Sequence, residues 1–134
     1  MTFKLINPDS LGPARGYSNG VVTNAGGRLL FIAGQIGWDK DQKIVSEDFV
    51  EQFDRALANV MAVVSEAGGS PDQIARLVIY VTNKSEYIDR REAVGRAYRA
   101  HLGKHFPAMV LVEVKSLLAD EAKVEIEAIA VLNP

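Results

Sequence analysis

The 134 residues contain no cysteine. That excludes disulfides, thiol nucleophiles and thiolate metal sites, and it fits a reducing, cytoplasmic setting. Excess charge is also missing: 15 basic and 17 acidic residues leave a formal charge of −2. They form no basic stripe, so neither nucleic acid nor an anionic membrane is expected as a partner. Long hydrophobic runs are absent too, since the longest reach only strand length and none could span a bilayer. The opening MTFKLINPDSLGPARGYSNG lacks the apolar core of a signal peptide. There is no Ser-His-Asp order, no metal-ligand spacing and no phosphate-loop pattern around Gly26-Gly27.

What is present is ordinary globular material, 48% hydrophobic and 24% charged. The length suits one domain over residues 1–134, which should bury roughly two-thirds of its unfolded surface. A hairpin is expected where Val21-Val22-Thr23 meets Ala25-Gly26-Gly27 and then Leu29–Ala33, with glycine easing the turn. The polar stretch 34–47 reads as a loop. Phe49, Phe53, Ala56, Leu57, Val60, Val63, Val64 and Ala67 make one apolar helical face, with Ser46 as N-cap and Gly68-Gly69 as the stop. Ser70-Pro71-Asp72-Gln73 has the form of a capping box. Arg76–Thr82 is a β-branched strand, and a second helix is expected from about Ser85 to Gly103. Ala108–Val114 and Lys123–Val131 supply the last strands, and Phe3–Ile6 a short extra one. The order ββ-α-β-α-ββ is that of an α+β fold with a mixed sheet.

Two helices cover only one face of such a sheet, yet several strands are apolar on both parities. In 108–114 one parity carries Val110, Val112 and Val114 while the other carries Met109 and Leu111. Further copies of the same chain are the simplest cover for the second face, so a homo-oligomer is expected.

Four stretches in register carry a resemblance: Gly16-Tyr17-Ser18-Asn19-Gly20, Phe31-Ile32-Ala33-Gly34-Gln35-Ile36, Phe106-Pro107-Ala108, and Val112-Glu113-Val114 with Val124-Glu125-Ile126-Glu127-Ala128-Ile129-Ala130. Together they resemble the Rid (YjgF) family, also called endoribonuclease L-PSP, over nearly the whole chain. The resemblance implies a chorismate-mutase-like fold of the bacillus type, with two helices on one face of the sheet. It also implies a homotrimer with clefts between subunits, and hydrolysis of reactive imines and enamines to ketoacids and ammonia without metal or cofactor. In the best-known members an arginine after Pro-Ala binds the substrate carboxylate, a last-strand glutamate works with water, and an N-terminal tyrosine lines the cleft. These positions fall on Met109, Glu125 and Tyr17, and the second-strand glycine falls on Gly34. Methionine cannot form the bidentate pair that guanidinium makes with a carboxylate. A cleft asparagine of the second helix also falls on a residue without a side chain, Gly95.

Each site residue has a plainer reading. Glu125 and Glu127 share the parity opposite Val124, Ile126 and Ala128, which by itself reads as solvent-facing. The resemblance assigns catalysis to Glu125 and leaves Glu127 structural. Tyr17 either closes the cleft or packs its own loop. Met109 and its parity mate Leu111 are read as apolar cleft wall, the alternative being core. Trp38 forms a lip of the cleft or packs on the loop after Gln35. Arg15, Arg96, Arg99, Lys115 and Lys123 are candidates for a replacement anion contact, against the common reading of solvated charge. His101 and His105 suit the cationic end of a helix better than catalysis.

Three functions compete. The first is a deaminase of a small imine or enamine, its substrate altered by Met109. The second is a non-catalytic trimer binding a small metabolite, and the third a ribonuclease or translation inhibitor, which the lack of a basic patch disfavours.

Overall fold

The computed structural model describes residues 3–24 and 26–134. Along the chain run β1 (Lys4–Ile6), β2 (Gly20–Val22), β3 (Arg28–Ile36), α1 (Phe49–Glu66), β4 (Ile74–Val81), α2 (Lys84–Asp89), α3 (Arg91–Leu102), β5 (Ala108–Glu113) and β6 (Val124–Leu132). A four-stranded mixed sheet has the order β3-β6-β4-β5. In it β6 lies antiparallel to both β3 and β4, whereas β5 lies parallel to β4. A parallel neighbour needs a crossover, and α2 with α3 provides it.

The helices pack on one face of this sheet. The expected apolar stripe of α1 is the buried one, with Phe49, Phe53, Ala56, Leu57, Val60 and Val64 at 2% exposure or less. Opposite them lie Leu77, Ile79 and Val81 of β4 and Val124, Ile126, Ala128 and Ala130 of β6. Val94, Tyr98 and Leu102 of α3 complete the layer. Gly68, at φ 82°, follows the last residues of α1 as a left-handed stop. The Ser70–Gln73 box forms as expected, Gln73 accepting from the Ser70 amide at 3.0 Å.

Three local expectations are corrected. The cap of α1 is Asp48 rather than Ser46: its carboxylate accepts from the Glu51 amide at 3.0 Å, and Ser46 Oγ instead accepts from the Asp48 amide. The second helix is two helices, broken at Arg90, whose backbone leaves the helical region and whose guanidinium reaches Asp48 at 2.9 Å. The hairpin between β2 and β3 does not pair. β2 lies against β1, and β3 runs its length along β6, because a glycine-rich turn reverses the chain without selecting the partner. Ala25 of that turn lies outside the described residues.

The other sheet face is open in the single chain. Leu29 and Phe31 of β3 are 63% and 71% exposed, and Val110 and Val112 of β5 are exposed as well. Among the described residues no helix is long and apolar enough to cross a membrane.

Candidate functional site

The expected site residues gather in two places, on opposite faces of the sheet. The first is a break in the β3–β6 ladder. Register shifts between Ile32 and Gln35, so Ala33 and Gly34 bulge out of the pairing. Bulges re-aim backbone and side chains near sites. Here the bulge brings Gly34 against Glu125 so closely that a Cβ on residue 34 would lie 2.3 Å from Glu125 Oε2 and 2.8 Å from its Cδ. Only glycine leaves room for the carboxylate there.

The two glutamates of β6 differ in partnership. Both point away from the core, since Ile126 between them and Val124 and Ala128 on either side are buried against the helices. Glu127 accepts a short hydrogen bond from the Tyr80 hydroxyl. That bond, with help from the negative charge of Glu125, holds the Tyr80 phenol above its ordinary pKa. Glu125 stands level with Tyr80 on β4 and Ile36 on β3, and among the described residues its carboxylate accepts no hydrogen bond. A carboxylate held beside a bare backbone segment, without a partner, is free to bind and deprotonate water.

The second place is the edge of β5. Ser18 is buried, donating from its amide to Pro107 O at 3.0 Å and from its hydroxyl to Phe106 O at 2.6 Å. These bonds pin the 16–18 segment beside the start of β5, which leaves Tyr17 exposed at that edge. Met109 and Leu111 stand level with Leu77 and Ile79 of β4, so they face the helices. Both line a cleft of about 280 Å³ between β5 and the α2–α3 pair. Phe106 and Tyr98, stacked at 5.3 Å, close one side, and Gly16, Tyr87, Gly95, Arg91 and Arg99 line the rest.

Trp38 follows Ile36, the β3 residue level with Glu125, by two positions and does not line the β5 cleft. It is half-buried after β3, bridging to Ile44, with its carbonyl accepting from Asn59 Nδ2 at 3.0 Å. His101 pairs with Asp54 of α1 at 2.8 Å, and His105 Nε2 donates to Ile74 O at 2.7 Å, so both histidines tie elements together. Lys123 pairs with Glu86 at 3.3 Å.

A further concavity, about 770 Å³, lies among the loops flanking Gln52 and Lys123. Its buried Gln52 is fully committed: it donates to Ser46 O and Glu121 O and accepts from the Lys123 amide. We read it as a structural joint. Sequence reasoning did not identify Gly16, Tyr87, Arg91 and Phe106 as cleft residues. The signal for Arg91 was the spacing Arg91–Gly95–Arg99, about one helical turn between each, and Gly16 and Phe106 stood in the resemblance motifs.

The endoribonuclease L-PSP family profile matches residues 8–132. A RutC family protein of Pyrococcus horikoshii is 35% identical over 124 residues, covering 92% of this chain and 90% of its own. A RutC family protein of Drosophila melanogaster is 32% identical over 129 residues, covering 95% of this chain and 88% of its own. Among solved structures, the Rid-family protein YyfB of Yersinia pestis, described as of unknown function, superposes with a TM-score of 0.87 at 32% identity, covering 98% of this chain and all of that one. A YjgF-type protein of Mycobacterium tuberculosis superposes at 0.65 with 29% identity, covering 98% of this chain and 100% of its own. Sequence motifs, strand order and these relatives agree: the chain belongs to the Rid/YjgF family and has its chorismate-mutase-like α+β fold.

Proposed function

We propose that the protein hydrolyses small reactive imines or enamines, with Glu125 handling water in a cleft completed by a neighbouring copy of the chain. The observation that carries the reading is the unpartnered Glu125 carboxylate resting against Gly34 at the β3 bulge, while its neighbour Glu127 is taken by Tyr80. Glu125 removes a proton from water as the oxygen attacks the iminium carbon and the C=N π electrons pass to nitrogen. The proton is then delivered to that nitrogen, and as the C–N bond breaks the hydroxyl of the intermediate gives its proton to Glu125, so ammonia leaves a carbonyl product and takes that last proton away as ammonium. An enamine joins this path after protonation at carbon. Neither metal nor cofactor is required.

Glu125 and the Met109–Leu111 cleft lie on opposite sheet faces, so one chain does not bring them together. The apolar face bearing Leu29 and Phe31 offers the surface on which a second copy would join its cleft to this Glu125. A cyclic homotrimer satisfies that arrangement at three equivalent sites.

A second reading, a trimer that binds a small metabolite without turnover, is favoured by the apolar Met109 and Leu111 walls. Imines generated by an amino-acid oxidase and trapped with semicarbazide separate the two. The deaminase reading expects faster imine loss with wild type and a drop of about 100-fold or more with Glu125→Gln. Activity only in Met109→Arg would mean that the fold is competent but this chain has left the usual chemistry. Inert wild type and inert Met109→Arg would favour binding.

A further inference from the structure

The cleft at β5 combines apolar walls with a one-signed rim. Met109, Leu111, Phe106 and Tyr98 make it hydrophobic, and the only charged side chains lining it among the described residues are Arg91 and Arg99. Both belong to α3, with Gly95 midway between them. Residues four apart on a helix share a face, about 6 Å along the axis, so the three form one stripe toward the cleft. Helical side chains lean toward the N-terminus, which carries the Arg99 head back over Gly95. There Arg99 Nη1 lies 3.0 Å from where a residue-95 Cβ would sit, with Cζ and Nη2 at 3.8 Å. The guanidinium thus occupies the space that glycine leaves open. The Arg99 guanidinium has no hydrogen-bond or ion-pair partner among the described residues, and the Arg91 guanidinium gives only its Nε to Ile88 O at 3.2 Å.

We propose that Arg99, assisted by Arg91, is the anion-binding residue of this cleft, and that the ligand is a small carboxylate with an apolar body, such as the imino acid of a branched or aromatic amino acid. The placement of the ligand at the reacting centre rests on the deaminase reading, but the carboxylate contact does not. An unpaired planar guanidinium at the mouth of an apolar pocket meets a carboxylate through two parallel N–H donors, while Met109 and Leu111 take up the side chain. Because the cation comes from a helix facing β5, the anion sits on the α3 side of the cleft and the apolar group on the strand side.

Direct binding tests this without turnover. Phenylpyruvate, a stable ketoacid, and phenylacetone, its neutral counterpart, are titrated into the full-length chain by calorimetry or ligand-observed NMR. Wild type is expected to bind phenylpyruvate more tightly than phenylacetone. Arg99→Gln should weaken phenylpyruvate by about 10- to 100-fold and leave phenylacetone unchanged, with Arg99→Lys between. Gly95→Ala is the companion variant. It improves helix propensity, so it should melt no lower than wild type, yet its Cβ displaces the guanidinium and should weaken phenylpyruvate alone. Equal wild-type affinity for the two probes, or an Arg99→Gln affinity for phenylpyruvate equal to wild type, would overturn the proposal. If ketoacid binding follows Arg99 but no imine is turned over, the anion site stands and the deaminase reading fails.

Discussion

At the scale of single residues, the contact between Gly34 and Glu125 is the most sensitive point. A Cβ at residue 34 would sit 2.3 Å from Oε2, and the group that must move is the end of a flexible side chain. Gly34→Ala should therefore leave the circular-dichroism spectrum intact and cut imine hydrolysis by roughly tenfold or more, since misplacing a catalytic group by about 1 Å costs up to 100-fold. Asp48 gives a stability counterpart. Arg90 beside it, and the Glu51 amide it caps, hold its carboxyl below the usual 3.8. Asp48→Ala should lower unfolding free energy by about 1 kcal/mol at neutral pH, mostly through the lost cap, because the half-exposed Arg90 pair adds little. A depressed folded-state pKa makes this stabilisation complete above the unfolded pKa, near 3.9, and lost as pH falls through the folded value. Chemical denaturation of wild type and variant should thus converge in strong acid.

At the scale of elements, one buried side chain joins a helix to two loops. Gln52, at 0% exposure on α1, holds Ser46 and Glu121 by their carbonyls and Lys123 by its amide. Gly37 abuts the same turn, its would-be Cβ 2.7 Å from Gln52 Cα. Gln52→Ala strands those backbone groups and should cost about 2–4 kcal/mol by urea unfolding. How far elements were legible varied with how local their causes were. The 3.6-residue stripe of α1 and the alternation of β6 were written in sequence, because each reports one buried face. The break at Arg90 was not, because it serves an ion pair with Asp48, 42 residues away. The β3 bulge was equally silent, since Gly34 reads as the start of a polar loop until β6 is laid beside it and β3 is seen to run on to Ile36.

At the scale of the whole molecule, the proposed site depends on assembly. Phe31, 71% exposed, lies on the open face. Phe31→Glu should shift sedimentation equilibrium from the proposed trimer toward monomer and abolish hydrolysis with it. Complementation gives the sharper result. Glu125→Gln and Arg99→Gln chains, each impaired on imino acids alone, should regain activity when unfolded together and refolded, with about a quarter of clefts carrying both native residues in a randomly mixed trimer. No recovery, with mixed trimers present by mass spectrometry, would place both residues in one chain's site or in none.

By itself the sequence determined the absence of thiol chemistry, the main helix, the β-rich frame and, through four stretches in register, the family. The first three follow from composition and short-range periodicity, which a linear chain displays in full, and the family from the resemblance of those four stretches to known motifs. Tertiary structure decided what depends on neighbours distant in sequence. It gave Tyr80 to Glu127 and left Glu125 beside Gly34. It also turned Met109 and Leu111 toward α3, and set a guanidinium over Gly95 in the same cleft. Which carboxylate stays free and which cation faces the cleft are matters of strand register and helix phase, and those are fixed only when the sheet and its helices pack.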